Sequence, residues 1–344
     1  MTRLLVGYKA SDLTPELLAE GAVVHELDIY HAHAVEKTHP GVNVVCTAHL
    51  PQGPWDEILF RTGPKLMSGE LSLDLLQEIH LLKPRKFKLD FVGKERDRND
   101  LLNKIKDDPD RVRNFASTWP ASVPGGEKLM FTSYPGCFCH RRLDEGGLAL
   151  AEVVSRELLA QPSSLLPHPS SLIPHPSHLS PLPSHLSPLP SHLSPLPSSL
   201  LPLTLLDMGC GCGLVGLLVA SVVKGVKLTM IDSHTRAVEA ATLNAKAFGA
   251  DARVILADDG LDSEPSNDSY DIFVGNPPYY SDYRIAEVFL ETAKKALKPG
   301  GVCYTVVKND AGLKPVQEKY FPSVEVIRRR GYCVLKSVNA DVGR

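Results

Sequence analysis

The stretch that decides the fold is Leu205-Leu206-Asp207-Met208-Gly209-Cys210-Gly211-Cys212-Gly213-Leu214-Val215-Gly216-Leu217. The apolar residues before Gly209 predict a short buried strand, and the apolar run after Gly213 predicts a helix. Glycines at these positions let the backbone turn sharply and approach a ligand closely, because no Cβ stands in the way. The helix that follows would direct its free N–H groups at that ligand. The stretch therefore predicts a strand, a ligand-binding loop and a helix.

A second stretch adds chemistry: Asp271-Ile272-Phe273-Val274-Gly275-Asn276-Pro277-Pro278-Tyr279. The two prolines fix the backbone and leave their own carbonyls free of local pairing. The Asn276 side-chain oxygen and the Pro277 carbonyl can then accept both hydrogens of a planar amine. This arrangement aims the nitrogen lone pair at an electrophilic carbon, so positioning would supply much of the rate. Tyr279 offers a face on which a planar base or amide can stack.

Composition bounds the class of protein. The chain has 344 residues, which is typical of about two domains, and its 43% hydrophobic and 22% charged content is typical of a soluble globular protein. A net charge of −3 gives no bulk signal for nucleic acid, so any basic surface would be local. We find no apolar run long enough for a membrane span and no signal-peptide pattern, and we expect no membrane partner. Seven scattered cysteines favour a reducing, cytoplasmic location.

The order of predicted elements indicates an α/β fold with two Rossmann-like units and three segments. Residues 1–158 form the N-terminal unit, 159–202 a linker rich in Pro and Ser, and 203–344 the second unit. Alternating strands and helices in both units predict parallel sheets with helices on their faces. In the second unit we predict strands at 204–207, 227–231, 253–256, 271–274 and 302–307, helices at 214–223, 235–247 and 285–297, and a hairpin at 324–335.

The N-terminal unit carries a faint copy of the second. Its predicted elements are strands at 42–46, 57–60 and 87–92 and helices at 71–82 and 99–105. A shift of 215 positions lays Trp55-Asp56 on Tyr270-Asp271 and Leu82-Lys83-Pro84 on Leu297-Lys298-Pro299 without a gap. Chance is the alternative, since this order of elements recurs in α/β folds. The N-terminal unit lacks the glycine loop, so a duplication would have left a degenerate copy.

The linker is of low complexity. The unit His-Leu-Ser-Pro-Leu-Pro-Ser recurs every seven residues from His178, His185 and His192. Frequent proline excludes helix and sheet pairing, so we predict an extended, disordered segment. Its histidines belong to the repeat, and Cys137, Cys139 and His140 lack zinc-site spacing, so we predict no metal.

Acidic residues follow the predicted strands of the second unit. Asp232 lies 19 residues after Gly213, where a carboxylate can accept hydrogen bonds from ribose hydroxyls. Asp258 and Asp259 end the third strand, where an adenine would lie. The spacing of Gly211, Gly213 and Gly216 also matches the Gly-x-Gly-x-x-Gly loop of a dinucleotide-dependent dehydrogenase. The tighter glycine set opening on Asp207 favours a methyltransferase instead, and a dehydrogenase has no use for Asn-Pro-Pro-Tyr.

With these motifs the chain resembles the small-domain S-adenosylmethionine-dependent methyltransferases, and among them the bacterial ribosomal RNA guanine-N2 methyltransferases of the RsmC type. The resemblance covers 203–338 and extends through 134–138, 143–147 and 330–335. It implies that S-adenosylmethionine is the cofactor. Its proposed ligands are Asp207, Gly209, Gly211, Gly213, Asp232, Asp258, Asp259 and Asn276. It also implies that Asn276, Pro277, Pro278 and Tyr279 hold the guanine amino group.

The same resemblance implies the partners: ribosomal RNA or a ribosomal subunit, most directly the small one, bound by a monomer with a pseudo-dimeric pair of domains. The N-terminal unit would position RNA. Candidate RNA-facing charges are Arg141-Arg142, the cluster Lys83, Arg85, Lys86 and Lys88, and Arg328-Arg329-Arg330. The chain departs from the family at Tyr280-Ser281-Asp282 and in its linker.

Three alternatives stay open. A protein glutamine-N5 methyltransferase uses the same motif on a side-chain amide, and other nucleic-acid amino groups, such as that of adenine in DNA, fit the same acceptors. The third alternative is not an enzyme: an RNA-binding assembly factor with a relic fold.

Overall fold

Two β-sheets, one from each half of the chain, organise the structure. The computed structural model describes residues 2–19, 21–106, 114–160, 202–258, 269–278 and 283–340. The first half contains β1 (Arg3–Val6), β2 (Ala22–Glu26), α1 (Ile29–Thr38), β3 (Asn43–Cys46), β4 (Glu57–Thr62), α2 (Gly69–Leu82), β5 (Lys86–Phe91) and α3 (Glu95–Lys106). Its five strands are parallel, in the order β3-β2-β1-β4-β5.

A hairpin and a long helix connect this sheet to the second one. They are β6 (Ser117–Ala121), β7 (Leu129–Ser133) and α4 (Glu145–Ala160). The second sheet and its helices comprise β8 (Leu203–Met208), α5 (Leu214–Val222), β9 (Val226–Asp232), α6 (Thr235–Phe248), β10 (Ala252–Leu256), β11 (Tyr270–Gly275), α7 (Arg284–Ala296), β12 (Leu297–Val307), α8 (Asp310–Glu318), β13 (Glu325–Arg329) and β14 (Tyr332–Val338). The strand order is β10-β9-β8-β11-β12-β14-β13, and the last two strands are antiparallel.

The predicted fold class is confirmed: both sheets have a Rossmann-like order with strand crossovers through helices. The first five strands of the second sheet repeat the order of the first sheet, counted along each half. The 215-residue shift lays α2 on residues 284–297, where α7 spans Arg284–Ala296. It also lays β5 within β12. The shared order and register support our interpretation that the halves arose by duplication.

Helix α4 is the most deeply buried helix near the second sheet. Ala149, Leu150, Ala151 and Val154 have no exposed surface, and the helix packs against α5, β12 and β14. Each fully buried leucine or valine contributes roughly 1.5–3 kcal/mol to folding. The hairpin joins the same core, where Trp119 stacks on Phe131 with ring centroids 5.4 Å apart. This packing favours a unit boundary near residue 115. The predicted linker lies outside the described residues except for its two ends.

The two halves meet through equivalent segments. The N–H of Thr235 donates to the Leu27 carbonyl (2.7 Å), and the N–H of Ile29 donates to the Ser233 carbonyl (2.9 Å). Asp28 and His234 lie between these bonds as an antiparallel bridge. Leu27 follows the second strand of its sheet and Ser233 follows the second strand of the other. The two units therefore dock with approximate two-fold symmetry, and we call this junction the seam.

Candidate active site

The glycine loop connects β8 to α5, as its sequence predicts. Gly209, Gly211 and Gly213 adopt φ values of +65°, +57° and +85°, a left-handed conformation that favours glycine. A Cβ on Gly209 would lie 2.7 Å from the Phe289 ring, whereas a Cβ on Gly211 would meet no heavy atom within 4 Å. The loop therefore packs on α7 at its start and faces open space at Gly211. A ligand that approaches the backbone fits at this point.

Asp207 lies beneath this loop. Its Oδ2 accepts a hydrogen bond from the Gly216 N–H (2.8 Å), and the residue is almost fully buried. Burial raises the Asp207 pKa to about 7, against the opposing effect of that hydrogen bond. The carboxyl ties the first turn of α5 to the end of β8. Any contribution of Asp207 to cofactor binding therefore acts through the shape of the loop.

Asp232 joins the loop to the next strand. Its Oδ2 accepts from the Gly211 N–H (2.8 Å) and its Oδ1 accepts from the His234 N–H (2.9 Å). Burial raises the Asp232 pKa to about 6, although both hydrogen bonds oppose the shift. A carboxylate accepts about four hydrogen bonds in all, so about one acceptor position remains beside the bonds from the Gly211, Ser233 and His234 N–H groups. This remaining acceptor fits a hydroxyl donor of a ribose.

The two predicted motifs meet at one edge of the sheet. Strand β11 pairs with β8, and Gly275 lies opposite Met208. Asn276 therefore lies just beyond the end of β11, beside Gly209 just beyond the end of β8. A Cβ on either Gly275 or Gly209 would clash with the Phe289 ring. Pro277 is buried and Pro278 half-buried. Tyr279, Asp259 and the departure at 280–282 lie outside the described residues, so their roles stay predictions.

Asp144 holds the side chain of Asn276, a role that the sequence does not predict. The Asn276 Nδ2 donates to Asp144 Oδ2 (2.7 Å), while Asp144 Oδ1 accepts from the Gly146 N–H (3.0 Å) at the start of α4. Burial raises the Asp144 pKa, with both hydrogen bonds opposing the rise. The amide orientation follows from this hydrogen bond. Because Nδ2 is engaged, Oδ1 is the Asn276 atom left to accept from a substrate.

The glycines after Asp144 explain how the carboxyl fits. A Cβ on Gly147 would lie 2.6 Å from Asp144 Oδ2. The Asp-Glu-Gly-Gly sequence could have indicated a carboxylate at the start of a helix, but not its contact with Asn276. The two partners are 132 residues apart, so no local pattern pairs them.

Asp258 lies at the end of β10 but contacts the other half of the chain. Its Oδ2 is 2.8 Å from His33 Nδ1 on α1. An adenine contact by Asp258 would share this carboxyl with the histidine. Asp258 therefore also helps to connect the two halves.

The predicted RNA-facing charges divide into two groups. Arg329 and Arg330 both pair with the buried Glu152 of α4, and Arg141 pairs with Glu70 (2.7 Å). These ion pairs fasten the last hairpin and the segment before α4. Lys83 and Lys86–Lys88 are instead exposed, and the Arg85 side chain is 84% exposed although it pairs with Asp56 (3.0 Å).

The described ranges contain neither a metal-ligand cluster nor a helix that could span a membrane. Within them, no three His, Cys, Asp or Glu side chains are grouped to hold a metal ion. The cysteines in those ranges are unbridged. In that same part of the chain, no helix combines the length and apolar character that crossing a bilayer requires.

Comparison with solved structures supports the two-unit fold. The T. thermophilus 16S rRNA N2 G1207 methyltransferase (RsmC), solved in complex with AdoMet and guanosine, matches with a TM-score of 0.72. The match covers 98% of this chain and 88% of that one, at 15% sequence identity. At this identity the likeness shows the fold alone.

Sequence comparison identifies the family. The family model described as methyltransferase small domain matches residues 192–336. Ribosomal RNA small subunit methyltransferase C of Pseudomonas aeruginosa (strain UCBPP-PA14) is 34% identical over 120 residues, 34% of this chain and 35% of that protein. The uncharacterized protein YbxB of Bacillus subtilis (strain 168) is 30% identical over 137 residues, 39% of this chain and 68% of YbxB. The chain thus spans about a third of the former relative and two thirds of the latter. The matched segment contains the glycine loop and the Asn-Pro-Pro motif, and the chain belongs to the methyltransferase small-domain family of S-adenosylmethionine-dependent methyltransferases.

Proposed function

We propose that the protein transfers a methyl group from S-adenosylmethionine to the exocyclic N2 of a guanine in small-subunit ribosomal RNA. The observation that carries this proposal is the fixed amide of Asn276 beside the glycine loop. When bound, S-adenosylmethionine supplies a methyl group on a positively charged sulfur. Gly209, Gly211 and Gly213 would hold it at the loop, and Asp232 would accept from its ribose hydroxyls.

Asn276 and Pro277 would orient the substrate nitrogen. An exocyclic amine has two hydrogens, and the Asn276 Oδ1 and the Pro277 carbonyl provide two acceptors at adjacent positions. Holding both hydrogens fixes the plane of the amine and directs its lone pair out of that plane. Since Asp144 prevents the amide from turning, this orientation is set before substrate binds, which lowers the entropic part of the barrier.

The RNA assignment draws on a surface and on the relatives. β5 is an edge strand of the first sheet, and its Lys86, Phe87 and Lys88 are exposed beside Lys83 and Arg85. Cations around an exposed aromatic ring are suited to a nucleic-acid backbone with an unstacked base. The names of the Pseudomonas and Thermus proteins specify small-subunit RNA, and the latter specifies N2 of guanine. The target base must leave its stack to reach Asn276.

The direct test is Asn276→Ala, assayed with labelled cofactor on small ribosomal subunits and on their naked RNA. We expect methyl transfer to be lost and cofactor affinity, measured by calorimetry, to stay within a few-fold. Asn309→Ala is the control, because that asparagine only caps α8. A fully active Asn276→Ala variant would refute the assigned role. If the methyl group is transferred to a release-factor glutamine or to DNA instead of RNA, the proposed substrate is wrong, but the proposed methyl transfer to a planar nitrogen still holds.

A further inference from the structure

The N-terminal half contains a cavity of about 500 Å³ that the proposed reaction does not use. We call it the N-terminal cavity. It lies at the carboxyl ends of β1 and β2 and is bounded by the start of α2 on one side. Gly136–His140 and His234 close it from the direction of the second half. Cavities of roughly 300–1,000 Å³ hold small ligands in proteins.

The position of this cavity repeats the cofactor site. Val6 pairs with His25 in the first sheet, and Met208 pairs with Ile231 in the second. In each sheet the next residues are a glycine with positive φ on the first strand and an acid on the second. They are Gly7 and Glu26 in the first half, and Gly209 and Asp232 in the second. Glu26 is therefore the counterpart of Asp232.

Polar atoms without partners converge on the N-terminal cavity. Among the described residues, five buried side-chain N or O atoms have no hydrogen-bond partner, and three of them belong to residues that line this cavity. They are Glu26 Oε1, His234 Nδ1 and His140 Nε2. The last atom is 3.4 Å from a Glu70 oxygen, without hydrogen-bond geometry. Glu26 is only 7% exposed, so its unpaired oxygen is shielded from bulk water.

The remaining lining suits a flat, uncharged ligand. Apolar side chains, including Leu66, Met67, Leu71 and Leu75, form part of the wall. Burial raises the Glu26 pKa to about 8 and lowers the His234 pKa to about 4. At neutral pH these groups are therefore mainly uncharged and can both donate and accept hydrogen bonds. Lys9, Asp28 and Glu70 also line the cavity, so its wall carries charges of both signs and offers no excess of positive charge to an anionic ligand.

We propose that the N-terminal cavity binds a ribonucleoside, with a ribose hydroxyl on Glu26 and the edge of the base on His140 and His234. The ribose assignment rests on the proposed role of Asp232 in the second half. The whole cofactor is not the expected ligand, because Tyr8, Lys9 and Ala10 follow Gly7 where the second half has its further loop glycines. The nucleoside could be free or part of the RNA substrate, since the chemistry is the same.

The test uses the full chain with its cofactor site saturated by S-adenosylhomocysteine. Adenosine, guanosine and 2′-deoxyadenosine are then titrated by calorimetry into the Asn276→Ala variant, so that the proposed guanine site of the second half does not contribute heat. We expect one further site per chain that binds at least one ribonucleoside, with 2′-deoxyadenosine weaker than adenosine if adenosine is the ligand. A cavity filled by water only would give no heat and would overturn the proposal. If S-adenosylhomocysteine itself fails to bind, the proposed function fails instead, which keeps the two outcomes separate.

Substitutions at Glu26 locate the site. Glu26→Leu removes both oxygens and should weaken nucleoside binding about tenfold or more, because the hydroxyl loses its partner. Glu26→Gln keeps a donor and an acceptor and should stay within a few-fold of the parent. Melting temperatures verify that each variant folds. Equal binding by the Leu and Gln variants would overturn the assignment of Glu26.

Competition identifies the source of the nucleoside. A fluorescent nucleoside is bound to the saturated protein and challenged with a short single-stranded oligoribonucleotide or with free nucleoside. Displacement by the oligonucleotide at lower nucleotide concentration supports a residue of the RNA substrate. Displacement by the free compound alone supports a soluble nucleoside. Displacement by neither overturns the proposal.

Discussion

At the scale of single residues, the site depends on which atom of Asn276 faces the substrate. An amide can present either its oxygen or its NH2 group, and only the oxygen accepts from an amine. Asp144 settles the choice by accepting from Nδ2 at 2.7 Å. In the proposed reaction Asp144 is a positioning residue, because it would act on the substrate through Asn276.

Replacing Asp144 should therefore lower kcat more than it raises KM. We expect Asp144→Ala to lower kcat by about 10–100-fold, by analogy with the loss of a group that orients a metal ligand. Part of its effect would be structural, since losing the cap of α4 costs about 1 kcal/mol. Steady-state kinetics with the RNA substrate and thermal melts separate the two effects.

Two further variants serve as controls for this prediction. Asp144→Ser keeps a helix cap but is too short to reach Asn276, so it should recover stability and not kcat. Asp144→Asn keeps an acceptor for Nδ2 and should recover part of kcat. Full activity in the Ser variant would contradict the positioning role.

Glu26 provides a prediction on pH and stability. Its pKa is about 8 in the folded protein, raised by burial from 4.5. Below pH 4.5 both folded and unfolded states are protonated, and the stabilising effect of the neutral carboxyl is fully present. As the pH rises toward 8, the unfolded state releases its proton first and this stabilisation is lost.

Glu26→Gln removes this loss, because the amide does not ionise. We expect the variant to gain stability over the parent between pH 5 and pH 8, by an amount on the order of 3 kcal/mol. Urea unfolding at several pH values measures the difference. The exposed Glu36, replaced by Gln, is the control. A difference that shrinks as the pH rises would contradict the prediction.

At the scale of elements, the sequence predicts well where a pattern is local. The predicted strands and helices around the glycine loop agree with the structure to within a few residues, apart from an earlier start for β12. Glycine turns and apolar periodicity depend on residues that are close in the sequence, so they can be predicted from it. Strands β1 and β2, helices α1 and α8 and the hairpin β6–β7 were not predicted, because their apolar runs are short. The Asp144–Asn276 contact was not predictable, because it depends on how α4 packs.

Another contact of this kind joins α2 and α6. Arg236 is 2% exposed and donates to Asp74 and Glu78 on α2 and to the Ala48 carbonyl (3.1 Å). A buried guanidinium with two carboxylates leaves unpaired charges when one partner is removed. The sequence shows only three ordinary charged residues on two amphipathic helices.

We expect Arg236→Met to destabilise the protein by about 3–5 kcal/mol, the usual cost of breaking a buried ion pair. The triple variant Arg236→Met, Asp74→Asn, Glu78→Gln should recover much of that loss, since no charge is left unpaired. Chemical denaturation measures both. Arg85→Met is the control, because its exposed ion pair with Asp56 should contribute less than about 1 kcal/mol. A stability of Arg236→Met equal to that of the parent would contradict the role assigned to the ion pairs of Arg236 with Asp74 and Glu78.

At the scale of the whole molecule, the seam lies next to the proposed cofactor site. Asp232 accepts from the loop at Gly211, and Ser233 and Thr235, one and three residues later, are bonded to the first half. A ligand that orders Asp232 should also order the segment around Leu27 and Ile29. Ligand binding at one half is then coupled to local stability in the other.

Hydrogen exchange measures this coupling. Saturation with S-adenosylhomocysteine should slow exchange of the Ile29 amide, which donates to Ser233, by several-fold or more. The amide of Val92, which donates to Thr62 inside the first sheet at 2.8 Å, is the control and should change less. Equal changes at both amides would indicate general stabilisation rather than transmission through the seam.

The seam also has an evolutionary consequence. Its two central bonds join main-chain groups, which every amino acid carries, and proline alone lacks the donor. Substitutions can therefore replace the side chains around this junction while the two main-chain hydrogen bonds remain. Related proteins can then differ at most positions and still keep the same relative orientation of their two halves. The shared architecture at 15% identity with the Thermus protein is what such inheritance would leave behind.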